Sequence, residues 1–266
     1  MAMELRAATV ADLDDLATIA CRAMPMDPQW NYRFPKREQF PDEHFSCTRA
    51  GYATMLEETG VLINVMTLPV KDQNSGETVK RPIALAVWEL EGHDPEQKDY
   101  SAIAAGTFCC GIPSISASIS STTLPLIRRL RSTLLPAGND NKPNNDCTQR
   151  PDADPRRMKA FDDALIAAKK SYFDRVYGPN QLHLRILATH PDFQRRGAGS
   201  TLCRWGMQRA TSARVPVTLF SSPMGQQLYS FLGFDYIGTV IVQVKGEDEK
   251  LSIGAMIYPY RTDGNK

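Results

Sequence analysis

A glycine-rich turn between an apolar segment and an amphipathic one is the feature that most constrains how this chain can fold. The turn, "HPDFQRRGAGSTL" (190–202), contains two arginines and two glycines, and it follows the apolar run "QLHLRILAT" (181–189). The residues after it, "STLCRWGMQRATSA" (200–213), repeat their apolar members at helical spacing. The pattern predicts a strand, a tight turn and a helix, in that order.

The start of such a helix is suited to binding an anion. Its first N–H groups have no intrahelical partner, and the helix dipole adds partial positive charge there. Gly197 and Gly199 remove side chains from the approach to these amides, and Arg195 and Arg196 add charge beside them. The turn therefore predicts a pyrophosphate site at the start of a helix from about residue 198. It lacks the Gly-Lys-Ser/Thr end of a Walker P-loop.

The remaining segments predict one mixed α/β domain with an insertion. A short strand, two helices and two β-branched strands precede residue 93, and a strand, a helix and a two-stranded hairpin follow the glycine-rich turn and its helix. The predicted segments before the insertion are a strand at 3–9, a helix that starts at Thr9, a helix at about 44–60 and strands at 61–70 and 82–90. Residues 93–180 are loop-rich, with an amphipathic stretch at 123–135 and a helix at 156–177, and we expect them to form an insertion in a single domain, 1–266.

Composition excludes several function classes. The 266 residues carry a formal net charge of +1, so the chain lacks the strongly basic face that nucleic-acid binding requires, and no apolar stretch is long enough for a membrane span. The six cysteines form no Cys-x-x-Cys pair, which predicts no metal site and favours free thiols in a reducing compartment. The sequence thus favours a soluble cytoplasmic protein.

Two motifs resemble those of one family. Gln194-x-x-Gly197-x-Gly199 resembles the acetyl-CoA-binding motif of the GCN5-related N-acetyltransferases, and it lies in the strand-turn-helix order of that family. Downstream, "SSPMGQQLYSFLGF" (221–234) is similar to the family's later motif, with Leu-Tyr, three residues and then Gly-Phe. The resemblance is specific over about residues 182–240 and topological over 3–92.

The resemblance implies a fold and an activity. The fold is an α/β (α+β) arrangement in which helices flank a mixed, mostly antiparallel sheet that is splayed between its fourth and fifth strands. The activity is transfer of an acyl group from acetyl-CoA to a primary amine by direct attack in a ternary complex, without a metal. We expect a small-molecule acceptor, and the sequence leaves the oligomeric state open.

The family's roles can be assigned to matching positions. The resemblance implies that the free amides of Leu187, Ala188 and Thr189 hold the acetyl carbonyl, and that Tyr229 protonates the departing thiolate. The residues expected to contact the pyrophosphate are those of the glycine-rich turn: Gln194, Arg195, Arg196, Gly197, Ala198, Gly199 and Ser200.

The general base stays open at this point. His183 alternates with Arg185 and Leu187, so the three are expected to share one face of the strand, and some family members have a base histidine near this position. A buried structural role fits His183 equally well. Glu89 and Glu91, at the end of another strand, are alternative bases.

Two other hypotheses about the function remain open. It could be a catalytically inactive domain that binds CoA as a sensor or interaction module. It could also bind a nucleotide through the same turn, although the missing Walker lysine speaks against this.

Overall fold

A computed structural model describes residues 2–71, 76–90, 147 and 150–260, and all of them belong to one compact unit. The amphipathic stretch predicted at 123–135 and the candidate base Glu91 lie outside the described residues. The single domain with an insertion at about 93–180 therefore stays a prediction.

Seven strands and six helices carry the described fold. The strands are β1 (Glu4–Ala7), β2 (Val61–Lys71), β3 (Thr78–Leu90), β4 (Leu182–Thr189), β5 (Val217–Ser221), β6 (Asp235–Gln243) and β7 (Lys250–Tyr258). The helices are α1 (Leu13–Ala23), α2 (Pro28–Arg33), α3 (Pro41–Glu57), α4 (Pro155–Lys169), α5 (Ala198–Ala213) and α6 (Pro223–Phe231). A π-helical turn, Lys170–Asp174, and a last helical turn, Arg175–Tyr177, continue α4.

The strands form one sheet in the order β1-β2-β3-β4-β5-β7-β6. The β4–β5 pair is parallel and the other neighbouring pairs are antiparallel. The prediction of a mixed, mostly antiparallel sheet flanked by helices is confirmed.

β4 and β5 separate shortly after they meet. Their register comprises Leu182 with Val217, His183 with Thr218 and Leu184 with Leu219. β4 then continues along β3 alone as far as Thr189, so its far end has a free edge toward β5. The predicted splay between the fourth and fifth strands is thus confirmed.

A β-bulge lies at the point of separation. Val87 of β3 pairs with Ile186, whereas the next residue, Trp88, pairs with Leu184, which leaves Arg185 as the extra residue of β4. A bulge of this kind bends its strand and increases the local twist. We infer that it helps to turn β4 away from β5.

Each face of the sheet has its own core. On one face, α5 and α6 pack against the fully buried Trp88 and the β4 and β5 residues Leu184 and Leu219. On the other face, α1 and α3 pack against Val65, Leu85 and Val87, and α4 packs against β6 and β7. Alternation along the strands produces both cores, because successive side chains point to opposite faces.

The expectation that the cysteines are free thiols is wrong for one pair. Cys47 of α3 and Cys147 form a disulfide with their Cα atoms 5.4 Å apart, whereas Cys21 and Cys203 are free. The two partners are 100 positions apart in the chain, so their spacing could not reveal a contact that only the fold creates. Disulfides are typical of oxidising compartments, and the cytoplasmic location remains a prediction.

Candidate functional site

The glycine-rich turn adopts a backbone that its sequence explains. Gly197 is the N-cap of α5 with φ of 86°, a left-handed conformation that glycine adopts without a steric penalty. Arg195 also has a positive φ, 61°, which is uncommon for a residue with a side chain. A Cβ on Gly197 would meet no atom within 4 Å, so the space above the turn is open.

The amides of this turn are available to a ligand. The first N–H to bond at the start of α5 is that of Thr201, which donates to the carbonyl of Gly197 at 2.9 Å. Within the part of the chain that the structure describes, the N–H groups of residues 195–200 donate to neither a backbone carbonyl nor a side chain. Six consecutive free donors at the positive end of a helix are suited to a diphosphate.

Gln194 holds the turn against the end of β4. Its side-chain Nε2 donates to the carbonyl of Thr189 at 3.2 Å and lies 3.9 Å from the sulfur of Met26. The side chains of Arg195 and Arg196 are exposed, and that of Arg196 donates to the carbonyl of Asp192 at 3.2 Å. The side chain of Gln194 thus closes the turn, while the two arginines remain near the free amides.

The free edge of β4 presents alternate amides to the gap. The N–H of His190 donates to Ile83 of β3, and strand alternation directs the amide of Ala188 the same way. The carbonyl of Thr189 instead faces away from β3, where Gln194 binds it. The amides of Leu187 and Thr189 are therefore the two that point toward the separation from β5, whereas the amide of Ala188, which was expected to join them, points toward β3.

Tyr229 is nearly buried and has a hydroxyl without a protein partner. It is 7% exposed, and its ring lies 5.7 Å from that of Phe234. No described residue hydrogen-bonds to its hydroxyl, and this oxygen is not among the fully buried polar atoms without a partner, so it retains contact with the accessible surface. Burial, aided by Cys203 and Asp27, raises its pKa well above 10, so the phenol keeps its proton.

The prediction that His183, Arg185 and Leu187 share one face is wrong. The bulge at Arg185 interrupts the alternation, so Leu187 approaches Gly199 at the start of α5 while His183 lies on the opposite face, beside Phe173. His183 is 5% exposed, and its Nδ1 lies 2.9 Å from the hydroxyl of Thr218. Burial lowers its pKa to about 3, with Lys169 and Arg185 adding to the effect, so the imidazole is neutral.

Glu89, the alternative base, is the cross-strand neighbour of His183. The two residues are directly opposite in the β3–β4 register, so their side chains share a face of the sheet. Arg185 lies between two carboxylates there, at 3.6 Å from Glu89 and 3.1 Å from Glu58 of the α3 C-terminus. The structure thus brings both candidate bases to the place where β4 and β5 separate.

Three polar residues of this region were missed by sequence reasoning. Gln181 and Thr218 are almost fully buried and bond to each other near His183, and Asp27 caps α2 through the amide of Gln29. A Thr in the apolar run "VPVTLF" was the available signal for Thr218. Asp27-Pro28 was a helix-start signal, but its electrostatic effect on Tyr229 depends on the fold.

Two features are absent from the residues that the structure describes. These residues contain no group of three or more His, Cys, Asp or Glu residues that could hold a metal ion. None of the helices in this part of the chain has the length and apolarity needed to cross a membrane.

Comparison with known proteins places the fold. No family model matches the chain. A curated protein of Stachybotrys chartarum described as an acetyltransferase is 21% identical over 257 residues, which cover 97% of this chain and 91% of that protein. A solved polyamine N-acetyltransferase of Drosophila melanogaster, which forms N-acetylagmatine, has a TM-score of 0.53 and 14% identity, with 97% of this chain and 100% of that chain covered.

A second solved structure gives the same result. An agmatine N-acetyltransferase variant in its apo form has a TM-score of 0.54 at 13% identity, with 96% of this chain and 98% of that chain covered. Together with the parallel β4–β5 pair and its splay, these likenesses settle the architecture. The chain has the fold of these N-acetyltransferases, which is the GCN5-related fold that the resemblance of its two motifs predicts.

Proposed function

We propose that the protein transfers an acetyl group from acetyl-CoA to the primary amine of a small molecule. The observation that carries the proposal is the row of free amides at residues 195–200, next to the free edge of β4. One extended donor molecule would then place its diphosphate on the amides of the turn and its acyl group beside the free edge of β4. Acetyl-CoA would act as a co-substrate, and the chemistry that it would supply is a reactive thioester.

The donor would be held almost entirely by main-chain groups. The pyrophosphate would lie on the amides of the turn, with Arg195 and Arg196 beside it, and Gly197 leaves that approach open. The amides of Leu187 and Thr189 would hold the acetyl carbonyl. Each such donor would also stabilise the negative charge that develops on the oxygen, by about 3 kcal/mol in comparable sites.

The reaction would proceed by direct attack of the amine on the thioester carbonyl. The N–C bond forms and the C–S bond breaks, a base takes one proton from the nitrogen, and the sulfur receives a proton from an acid. Tyr229 fits the acid because burial keeps its phenol protonated and its hydroxyl has no partner among the described residues. His183 and Glu89 are the two candidate bases. After the reaction, solvent takes the proton from the base and returns a proton to Tyr229.

A cationic or readily protonated small amine suits the acceptor side. Met26 contacts Gln194, which binds the end of β4, and Asp27 follows Met26 in the chain. Asp27 also acts electrostatically on Tyr229. The likeness to polyamine and agmatine acetyltransferases supports the same class of acceptor.

Two measurements test the proposal. Isothermal titration calorimetry should show that CoA binds, and an amine panel with acetyl-CoA should release free thiol in proportion to acetylated product. Absence of CoA binding would overturn the proposal. Binding without turnover on any amine would favour the inactive sensor, and an affinity for ATP equal to that for CoA would favour a nucleotide-binding module.

A further inference from the structure

A chain of buried hydrogen bonds connects His183 to a carboxylate at the end of the π-helical turn. His183 Nδ1 lies 2.9 Å from Thr218 Oγ1, and Thr218 Oγ1 lies 2.7 Å from Gln181 Oε1. Gln181 Nε2 lies 3.0 Å from Asp174 Oδ1, which also accepts from Lys169 at 3.2 Å. Thr218 is 0% and Gln181 1% exposed, so water does not compete along the middle of this chain.

The direction of each hydrogen bond can be worked out. The Gln181 amide nitrogen donates to the Gly178 carbonyl at 3.0 Å as well as to Asp174, and neither of these oxygens can donate in return. Gln181 Oε1 is therefore an acceptor, and Thr218 gives its single hydroxyl proton to it. The Thr218 oxygen must then accept from His183, which places the imidazole proton on Nδ1.

His44 provides a contrast within the same protein. The indole of Trp30 can only donate, and it bonds to His44 Nε2 at 3.1 Å, so His44 also carries its proton on Nδ1, which faces Asp152 at 2.6 Å. Both nitrogens of His44 are thus engaged, as befits a structural residue.

His183 differs from His44 at its second nitrogen. No described residue bonds to His183 Nε2. The fully buried side-chain polar atoms without a partner among the described residues are on Thr48, Asn64 and Trp88, so His183 Nε2 retains contact with the accessible surface. His183 is therefore a neutral imidazole with one open, unprotonated nitrogen, one residue before the β4–β5 pairing ends.

We propose that Asp174, Gln181 and Thr218 are positioning residues that fix His183 as its Nδ1–H tautomer and leave Nε2 to accept the proton of the attacking amine. This inference rests on the proposed function for its catalytic part only. The charged groups that face this site are Lys169, Arg185, Glu89 and Asp174. Burial, with Lys169 and Arg185 adding to its effect, lowers the pKa of His183, so the resting imidazole is neutral and Nε2 carries no proton.

Nuclear magnetic resonance can read the tautomer without any assay of activity. The chain has four histidines, so a long-range ¹H–¹⁵N spectrum is simple, and His183→Gln identifies the signal. We expect a protonated Nδ1 for His183 at pH 7, loss of that preference in Thr218→Val, and its return in Thr218→Ser. His44 should keep its tautomer in every variant. A protonated Nε2 in the wild type, or an unchanged tautomer in Thr218→Val, would overturn the proposal.

Kinetics test the catalytic part separately. Thr218→Val should lower kcat by about tenfold to a hundredfold, within the range of general-base effects, with the KM for acetyl-CoA unchanged, and Thr218→Ser should restore it. Gln181→Leu tests the same chain if Thr218→Val does not fold. An altered tautomer with wild-type kcat would refute the role in proton transfer. If the wild type acetylates no amine, the proposed function fails while the tautomer result stands.

Discussion

His183 and Thr218 face each other across the short parallel ladder of β4 and β5, with Nδ1 2.9 Å from Oγ1. The contact lies in an almost dry environment, because the two side chains are 5% and 0% exposed. An imidazole held in this way is neutral in the resting folded protein, and its pKa returns to the ordinary value when the chain unfolds.

This difference predicts a pH dependence of stability. The unfolded histidine has a pKa near 6.5 and the folded one about 3, so between these values the unfolded state binds more protons. The contribution of His183 to the free energy of unfolding should therefore fall as the pH drops from about 6.5 to 3, by up to roughly 4–5 kcal/mol. Urea unfolding at several pH values should show that His183→Gln loses less unfolding free energy than the wild type as the pH falls. His190→Gln is the control and should behave as the wild type does. Equal slopes in all three proteins would refute this account.

The glycine-rich turn predicts a selective loss of CoA binding. Gly197→Glu places a carboxylate where the pyrophosphate would lie, so calorimetry should detect no binding at concentrations that saturate the wild type. Gly246→Glu is a matched control, because Gly246 has φ of 88° against 86° for Gly197 and its Cβ position is equally open. Both variants bear the same backbone strain, so a difference in CoA affinity between them would come from the position of Gly197 in the proposed ligand site. Unchanged affinity in Gly197→Glu would remove the assignment of the turn.

Tyr229 predicts a split between kcat and KM. Tyr229→Phe removes only the hydroxyl that we assign to thiolate protonation, so kcat should fall by about a hundredfold while the KM for acetyl-CoA stays within about twofold. Tyr52→Phe is the control, because Tyr52 is another buried tyrosine, 4% exposed, on the core-facing side of α3. Steady-state kinetics on the best amine of the panel provide the comparison. Wild-type kcat in Tyr229→Phe would show that the hydroxyl is not the acid.

Gly206 predicts destabilisation where a helix contacts the sheet. A Cβ at this position of α5 would lie 2.2 Å from the ring of Trp88, which is fully buried and cannot move away without disturbing the core. Gly206→Ala should lower the free energy of unfolding by about 1–3 kcal/mol or more. Gly51→Ala, inside α3 with no atom within 4 Å of the new methyl, should instead raise it by about 0.5–1 kcal/mol. Thermal melts of both variants are sufficient, and the same sign for both would contradict the packing argument.

The disulfide predicts sensitivity to reductant. Opening a link between residues 100 positions apart restores chain entropy to the unfolded state, and we expect a loss of roughly 4–5 kcal/mol. Dithiothreitol and Cys47→Ser should lower Tm to the same extent, and reductant should not lower the Tm of Cys47→Ser further. Cys21→Ser, at a free cysteine, should leave the response to reductant intact. A wild-type Tm that is insensitive to reductant would count against this role.

Local patterns predicted the strand, the glycine-rich turn and the helix of the candidate donor site, whereas its role in binding stays a prediction. Gln194, Gly197 and Gly199 lie within six positions, and the conformation of a strand-turn-helix depends mainly on the residues inside it. The order of the strands and helices and the splay could also be predicted from the sequence. The family resemblance that implies them rests on two motifs that lie close together in the chain.

Non-local contacts account for what the sequence did not reveal. Arg185 has the period-2 pattern of an ordinary strand residue, and only its pairing with β3 turns it into a bulge that separates the faces of His183 and Leu187. Cys47 with Cys147, and Gln181 with Thr218, are far apart in the sequence and meet only in the folded chain. In each case the sequence contains both residues but does not reveal that they are in contact.

Where β4 diverges from β5, the two faces of β4 have different neighbours: Leu187 lies beside Gly199 at the start of α5, and Arg185 pairs with Glu58 at the C-terminus of α3. A donor and an acceptor that approach from these opposite faces would not block each other's path. Either could then arrive first, and the free product could leave while the spent coenzyme is still in place. Such a passage would make the order of binding random rather than compulsory.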